Sequence, residues 1–141
     1  MYFLILVFLL FASCSIEDRI ERREDRLMGS WQLERATYRG DDALFTRNVT
    51  DDFRGDRITF DPDYTAYYET GTGRRFTGYW RISALRDRDD DLEFTIDADF
   101  FDPFGNPDFR WLGTIDRLTE NNFNIRIYER GGLLRLKWDR L

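Results

Sequence analysis

From Gly29 onward, apolar and polar residues alternate along the chain with a period of two. The clearest case is LEFTIDADF, residues 92–100, where Leu, Phe, Ile, Ala and Phe alternate with Glu, Thr, Asp and Asp. Such alternation places one face of a strand in a core and the other in water. Similar runs recur to the end of the chain and predict strands at 30–39, 56–61, 64–70, 75–83, 92–101, 109–118, 122–130 and 133–140.

Short turn sequences separate these runs, among them Asp61-Pro62-Asp63, Gly71-Thr72-Gly73 and Gly131-Gly132. Gly, Pro, Asp and Asn favour tight turns, and short connections make consecutive strands antiparallel. About eight strands with one apolar face can bury that face and remove exposed edges by closing into a barrel. We therefore predict an all-β domain over residues 28–141, an up-and-down antiparallel meander closed into a small barrel. A two-sheet sandwich is the alternative.

The segment from Gly40 to Gly55 interrupts the alternation. Its apolar residues, Ala43, Leu44, Phe45, Val49 and Phe53, stand among acidic residues. Long loops in compact domains are often functional, and we expect this one to fold over one mouth of the barrel as a cap.

The N-terminal segment has a different pattern. Residues 2–11 are apolar throughout, and the small residues Ala12 and Ser13 then lead to Cys14. The run is shorter than the roughly 20 residues that cross a bilayer as a helix. An apolar run followed by small residues is typical of a secretory signal, so we predict a cleaved signal peptide at 1–13.

The residues Phe11-Ala12-Ser13-Cys14 resemble a bacterial lipobox, with Phe11 in place of the usual Leu. The resemblance implies that Cys14 becomes the lipidated first residue of a lipoprotein anchored in a membrane of the cell envelope. Ser15, rather than Asp, follows the cysteine. By resemblance to enteric sorting rules, this favours the outer membrane, with the domain facing either the periplasm or the cell surface.

Residues 14–27 are predicted to form a charged tether behind the anchor. Ile16, Ile20 and Leu27 fall roughly on one helical stripe, and Asp18 and Arg22 have the i,i+4 spacing of a helical ion pair. The segment therefore has some helical character and can also close one end of the domain.

Composition limits the function. The chain has 27 Asp and Glu against 21 Lys and Arg, which argues against a nucleic-acid partner because such partners select basic patches. Histidine is absent from the sequence, which excludes Ser-His-Asp and Cys-His catalysis and histidine metal sites. Cys14 is the only cysteine, so no intramolecular disulfide can form.

The acidic residues show no metal-binding or catalytic pattern. Residues 87–93 alternate Asp and Glu with other residues, but an EF-hand would need Gly and Glu where Leu92 and Ala98 stand. We interpret this stretch as a solvated hairpin turn. Asp97 and Asp99 alternate with the apolar face and are expected to point to solvent. We therefore expect no enzyme activity, no metal and no cofactor.

The first predicted strand opens with Gly29-Ser30-Trp31, which matches the G-x-W motif of lipocalins. Later stretches match an apolar-x-Phe strand end and turn at 58–65, G-x-W-x-I at 78–82 and I-x-x-L-T at 115–119. Together they resemble the compact lipocalin-like domains of bacterial lipoproteins, from about residue 28 to the C-terminus. The resemblance implies a lipocalin-like barrel.

The sequence departs from the lipocalin pattern in two places. Tyr64 stands where the turn usually has Gly, at a position that favours positive φ. The second lipocalin signature, T-D-x-x-Y, is absent. The late arginine that packs over the first-strand tryptophan is Arg135 or Arg140, and the sequence does not choose between them.

Lipocalin-type barrels of eight strands hold one small ligand or are filled by their own side chains. The resemblance implies a small apolar or amphipathic ligand at a barrel mouth. The alternative is a filled barrel that acts as a protein-interaction or structural module of the envelope, with Tyr67, Tyr79, Tyr128 and the 40–55 loop as its contact surface. We expect a monomer in either case. The candidate ligand contacts inside the barrel are Trp31, Phe60, Trp80, Phe94, Phe100, Trp111, Phe123 and Trp138.

Overall fold

The computed structural model describes residues 15–129 and 131–141. The predicted signal peptide (1–13) and Cys14 therefore lie outside the described residues. No helix in the described ranges is long and apolar enough to cross a membrane. The helices are α1 (Ile16–Leu27) and α2 (Thr50–Phe53), and the strands are β1 (Gly29–Gly40), β2 (Arg47–Asn48), β3 (Arg57–Phe60), β4 (Thr65–Glu69), β5 (Arg75–Arg86), β6 (Leu92–Phe101), β7 (Pro107–Leu118), β8 (Asn122–Glu129) and β9 (Gly132–Arg140).

The strands form one antiparallel sheet that closes on itself. From β3 to β9 each strand pairs with the next, β1 pairs with β3, and β9 returns to β1 from Trp31↔Arg140 to Gly40↔Gly132. The short strand β2 adds to β1 through Thr37↔Asn48 and stands outside this ring of eight. The all-β, up-and-down barrel of eight strands predicted from the alternation is confirmed.

Helix α1 follows from its own sequence. The Ser15 hydroxyl accepts a hydrogen bond from the Asp18 amide (3.2 Å), and the Asp18 carboxylate accepts one from the Ser15 amide (3.3 Å). This capping box satisfies amides that the first turn leaves free. Because Asp18 is engaged at the cap, it makes no ion pair with Arg22 in the described part of the chain. The expected Asp18–Arg22 pair is therefore wrong.

Helix α1 covers one end of the barrel, which we call the closed end. Leu27, in its last turn, is fully buried in the core. The indole Nε1 of Trp31 donates to the Leu27 carbonyl at 2.8 Å, which joins the helix to β1. The segment expected to be a tether is thus an ordered helix that packs mainly against β5 and β7.

A single arginine ties the closed end together. Arg140, not Arg135, lies over the Trp31 ring, with its guanidinium carbon 4.0 Å from the ring centroid. It donates to the carbonyl of Met28 at 2.7 Å and to two further carbonyls, those of Arg26 and Glu120.

Gly29 is required beside this arginine. A Cβ at this position would lie 2.5 Å from Arg140 Nη1, and the residue has φ +116°, which L side chains rarely adopt. The G-x-W motif therefore opens the first strand with the residue that leaves room for the arginine above the tryptophan.

Tyr64 adopts the left-handed conformation (φ 66°) despite its side chain. Its hydroxyl donates to Glu24 of α1 at 2.7 Å, and its ring packs against Trp80 at 5.2 Å between centroids. Such backbone strain costs on the order of 1–3 kcal/mol and persists when neighbouring contacts offset it. Here the contact with α1 explains why the turn carries a tyrosine in place of glycine.

Large side chains fill the barrel interior. Phe60 meets the Trp80 ring edge-on at 5.4 Å and Phe123 at 6.2 Å, while Trp111 and Trp138 pack at 5.7 Å. All five are at most 6% exposed. Such an interior is a packed core, so space for a ligand must be sought at the barrel ends.

The 40–55 loop only partly matches the expected cap. Val49 and Phe53 pack against the core, but Leu44 and Phe45 are 85% and 80% exposed. The second half of the loop is held against β1 by Thr50. Its hydroxyl accepts a hydrogen bond from the Ala36 amide and donates one to the Ala36 carbonyl. In the first half, the Asp41 amide donates to the Gly131 carbonyl at 2.8 Å, but Leu44 and Phe45 project into solvent.

Candidate functional site

The end of the barrel opposite α1, which we call the open mouth, contains a cleft of about 300 Å³. Strands β4, β5, β7 and β9 supply its floor, and α2 stands at its side. This mouth cleft has an apolar floor and a charged rim. The floor consists of Tyr68, Phe76, Phe109, Trp111 and Leu134 with Phe53 beside it, and the rim consists of Asp52, Asp56, Arg74, Asp108, Arg110 and Glu129.

Tyr68 is the centre of the floor. Its ring packs edge-on against Phe109 at 5.3 Å and Trp111 at 5.9 Å, and against Phe100 beneath them at 5.7 Å. Phe100 and Phe109 are directly paired across β6 and β7, and their rings stack at 4.6 Å. The register of the strands therefore brings these rings together and holds the floor rigid.

A buried carboxylate holds Tyr68 in place. Asp56 is 5% exposed and accepts hydrogen bonds from the Tyr68 hydroxyl and from the Gly71 amide, the latter at 2.9 Å. Burial raises the pKa of the Asp56 carboxyl above its ordinary value. Burial and the adjacent Asp56 also raise the pKa of Tyr68, which remains a neutral donor. The hydroxyl is thus engaged, and Tyr68 offers the cleft its ring.

The rim carries charges of both signs that remain in water. Arg74 lies 3.8 Å from Asp108 and covers the Phe76 ring at 5.1 Å. Arg110 is drawn to the outer wall, where it pairs with Asp97 at 2.6 Å, and this pairing raises the pKa of Arg110. Arg74 therefore remains beside the aromatic floor, where it can meet the polar end of a ligand.

One donor beneath the floor has no partner in the described part of the chain. Trp138 is fully buried, and its indole Nε1 makes no hydrogen bond. Its ring packs 5.7 Å from Trp111 and 6.1 Å from Tyr68. A buried donor without an acceptor costs about 1–3 kcal/mol of folding free energy. The core directly below the cleft therefore contains one unsatisfied hydrogen-bond donor.

The structure divides the predicted interior candidates between the two ends of the barrel. Trp111 lines the mouth cleft, and Phe100 and Trp138 pack against its floor. Phe94 lies at the closed end below α1. Ligand binding by these residues stays a prediction. The other four form the closed-end core: Trp31, Phe60, Trp80 and Phe123.

Sequence reasoning missed most of the mouth cleft. Tyr68 and Phe76 lie in phase with the inward positions of their strands, so the period of two was a sufficient signal for both. Asp56 lies at the start of the predicted strand 56–61, in phase with the inward Ile58 and Phe60, but an acidic residue gave no reason to expect burial, which arises only from the closure of the barrel over it.

The acidic turn between β5 and β6 is a hydrogen-bonded loop. Asp87 accepts from the amides of Asp89 and Asp91, each at 2.9 Å. Within residues 15–129 and 131–141, no group of three or more His, Cys, Asp or Glu residues is placed to hold a metal ion.

A comparison with protein-family models agrees with this architecture. The model of the lipocalin-like domain family matches residues 27–125. A de novo designed fluorescence-activating β-barrel is similar with 15% identity and a TM-score of 0.42, over 84% of this chain and 96% of the design. No curated protein matches the chain. With its closed eight-strand barrel and a family match over most of its length, the chain belongs to the lipocalin-like domain family.

Proposed function

We propose that this protein is a membrane-anchored lipocalin-like lipoprotein whose mouth cleft binds a small apolar or amphipathic molecule. The observation that carries the proposal is the cleft itself, an aromatic floor inside a charged rim. Its volume of about 300 Å³ lies at the lower end of the range for small-molecule sites. The ligand is therefore small, or only part of it enters.

The chemistry of the cleft favours an amphipathic ligand. The floor presents rings and a leucine, while the hydroxyl of Tyr68 is engaged by Asp56. An acyl or aromatic group gains by leaving water on this surface. Arg74 at the rim is placed to meet an anionic head group such as a carboxylate. On this proposal the protein is a monomeric binding protein and not an enzyme.

Lipid extraction and mass spectrometry of the purified protein would reveal a co-purified ligand. Tryptophan fluorescence titrated with medium-chain fatty acids measures affinity directly, because Trp111 lines the cleft. We expect a saturable change, and an affinity about tenfold weaker in Phe109→Ala, which opens the stacked pair in the floor. The control is Tyr79→Ala on the outer wall, which should bind as the unaltered protein does. No response at saturating fatty acid would end this proposal.

The filled interior favours a second candidate, an envelope module that binds another protein. Tyr67, Tyr79 and Tyr128 are 47%, 65% and 69% exposed. Tyr67 lies on β4 and Tyr128 on β8, four strands apart in a ring of eight, so these two side chains face opposite sides of the barrel. A partner would therefore contact one of two separate surfaces. Absence of a co-purified ligand together with loss of a protein partner in Tyr79→Ala would favour this candidate.

The anchor is proposed from the leader sequence, which ends at Cys14. A single acyl chain binds membranes only marginally, whereas two or three chains hold a protein durably. Cys14→Ala should therefore move the protein from the membrane fraction to the soluble fraction. Ser15→Asp is the matched control, because Asp also caps a helix and leaves the cysteine in place. It should keep the protein membrane-bound but shift it from outer to inner membrane. Membrane retention of Cys14→Ala would contradict the anchor.

A further inference from the structure

A second cleft, of about 490 Å³, lies at the closed end between α1 and the barrel wall. We call it the arginine cleft. It is separate from the mouth cleft, and none of its residues belongs to that site. Its basic residues are Arg22, Arg23, Arg26, Arg117 and Arg126, its acidic residues are Glu93 and Asp116, and its apolar residues include Leu92, Phe94, Ile115 and Leu118.

The two carboxylates in this cleft both form ion pairs with the same arginine, Arg126. Asp116 pairs with Arg126 at 2.7 Å, and Glu93 approaches the same guanidinium at 4.0 Å. By contrast, no carboxylate in the described part of the chain lies within 4.0 Å of Arg22, Arg23 or Arg26. The positive charge that α1 brings to the cleft is therefore not neutralised by ion pairs, although the chain as a whole has a net charge of −6.

Arg23 is fixed at the base of the cleft. Its guanidinium carbon lies 3.4 Å from the centroid of the Phe94 ring, and its Nη1 donates to the Arg19 carbonyl at 3.3 Å. Partial burial, with Arg19 and Arg26 nearby, lowers the pKa of Arg23. The surrounding groups therefore disfavour its positive charge, and an anion bound beside it would relieve that repulsion.

We propose that the arginine cleft binds the phosphate group of an anionic ligand. Arginine presents a planar fork that matches phosphate oxygens in pairs, and stacking on an aromatic ring leaves the edge of that fork free. Arg23 is held in this way, and Arg22 and Arg26 flank it on the same helix. The apolar residues of the cleft then contact the carbon skeleton next to the phosphate.

Two sources supply such a group: a phospholipid head group and a soluble phosphate ester. Helix α1 begins at Ile16, two residues after Cys14, so the proposed anchor would hold this cleft near the bilayer surface. The choice of a lipid source rests on that anchor, whereas phosphate binding as such does not.

The test uses the full-length protein in neutral detergent and follows arginine Nε–H resonances by NMR. The probes are inorganic phosphate, glycerophosphate and short-chain phosphatidylglycerol, with short-chain phosphatidylcholine as the zwitterionic comparison. We expect saturable shifts at Arg23. Tighter binding of phosphatidylglycerol than of glycerophosphate identifies a lipid head group, and equal binding identifies a soluble ester. The absence of saturable shifts with every probe would overturn the proposal and leave the mouth cleft and the anchor unaffected.

The double variant Arg22→Gln/Arg26→Gln should weaken binding by about tenfold or more, because it removes two charged donors. Both side chains are exposed, and the one hydrogen bond given for them, from Arg26 to the Leu118 carbonyl at 3.4 Å, is long, so the domain should remain folded. The matched control Arg57→Gln/Arg81→Gln removes the same charge from the outer wall and should bind within about twofold of the unaltered protein. An equal loss in both double variants would show attraction by net charge alone and refute a built site.

Discussion

At the scale of single residues, Arg140 makes more contacts that hold the closed end together than its place in any sequence motif indicates. One guanidinium lies on the Trp31 ring and donates to carbonyls from α1, from the residue after it and from the β7–β8 turn. The end of α1 with the start of β1, the β7–β8 turn and the end of β9 are thereby joined by one planar group. Lysine has the charge but lacks the fork that reaches several acceptors.

We predict that Arg140→Lys lowers the free energy of unfolding by about 1–2 kcal/mol, because the carbonyls of Arg26, Met28 and Glu120 lose a charged donor. Arg135→Lys, on the same strand but exposed, should change it by less than about 0.5 kcal/mol. Urea unfolding followed by tryptophan fluorescence measures both. Equal effects in the two variants would show that Arg140 is an ordinary surface arginine.

Asp56 makes stability depend on pH. Its pKa is raised on folding, so the folded state binds more protons than the unfolded chain. The stability due to its carboxyl is therefore largest below the unfolded pKa of about 3.9 and is lost as pH rises through the folded pKa.

Relative to Asp56→Asn, the unaltered protein should be most stable below about pH 3.9 and lose that advantage as the pH rises above it. Denaturant unfolding of both proteins below and above this pH measures the difference. A difference that grows with pH would mean that the bonds from Tyr68 and Gly71 outweigh desolvation.

At the scale of elements, α1 acts as a plug for the closed end. Leu27 is fully buried, and the helix contributes both a carbonyl to Trp31 and a carboxylate to Tyr64. The helix is therefore part of the folded domain, and its arginines occupy defined positions beside the barrel wall.

Leu27→Ala should destabilise the domain by about 2–5 kcal/mol, since it leaves a cavity in a packed core. Leu112→Ala on the outer face of β7, where the side chain is 58% exposed, is the matched control and should cost less than about 0.5 kcal/mol. Thermal or chemical unfolding compares the two. A small effect at Leu27 would show that α1 is attached only loosely.

At the scale of the whole molecule, the filled interior separates two ends with different chemistry. The open mouth presents rings with charges of mixed sign, whereas the closed end presents arginines. Between them lie packed aromatic and aliphatic side chains, such as Phe60, Ile96 and Leu136, that are no more than 1% exposed. Sites that share no residues and no partners are expected to act independently.

We therefore expect Arg22→Gln/Arg26→Gln to leave fatty-acid affinity within about twofold, and Phe109→Ala to leave phosphate affinity within about twofold. Titration of each variant with both probes tests this independence. Reciprocal changes of similar size at the two ends would instead demonstrate coupling through the barrel.

Local pattern was sufficient for the strands. Each of the eight barrel strands was predictable because a period of two is set by backbone geometry and appears directly in runs such as 92–100. Closure followed from the short turns and the need to remove edges. The inward aromatics were predictable for the same reason. The capping box of α1 also depends only on neighbouring residues, Ser15 and Asp18. The i,i+4 spacing predicts an Asp18–Arg22 ion pair in its place.

Tertiary structure alone decided which groups meet. Arg140 is in phase with the inward positions of β9 and Arg135 is not, but only the β1–β9 register places Arg140 directly beside Trp31. Asp56 becomes buried only when Tyr68 closes over it, and the arginines of α1 form a cleft only when the helix docks beside Phe94. The periodicity of a strand can be read from neighbouring residues, because it follows from local backbone geometry. Contacts between distant segments form only when the closed barrel brings those segments together.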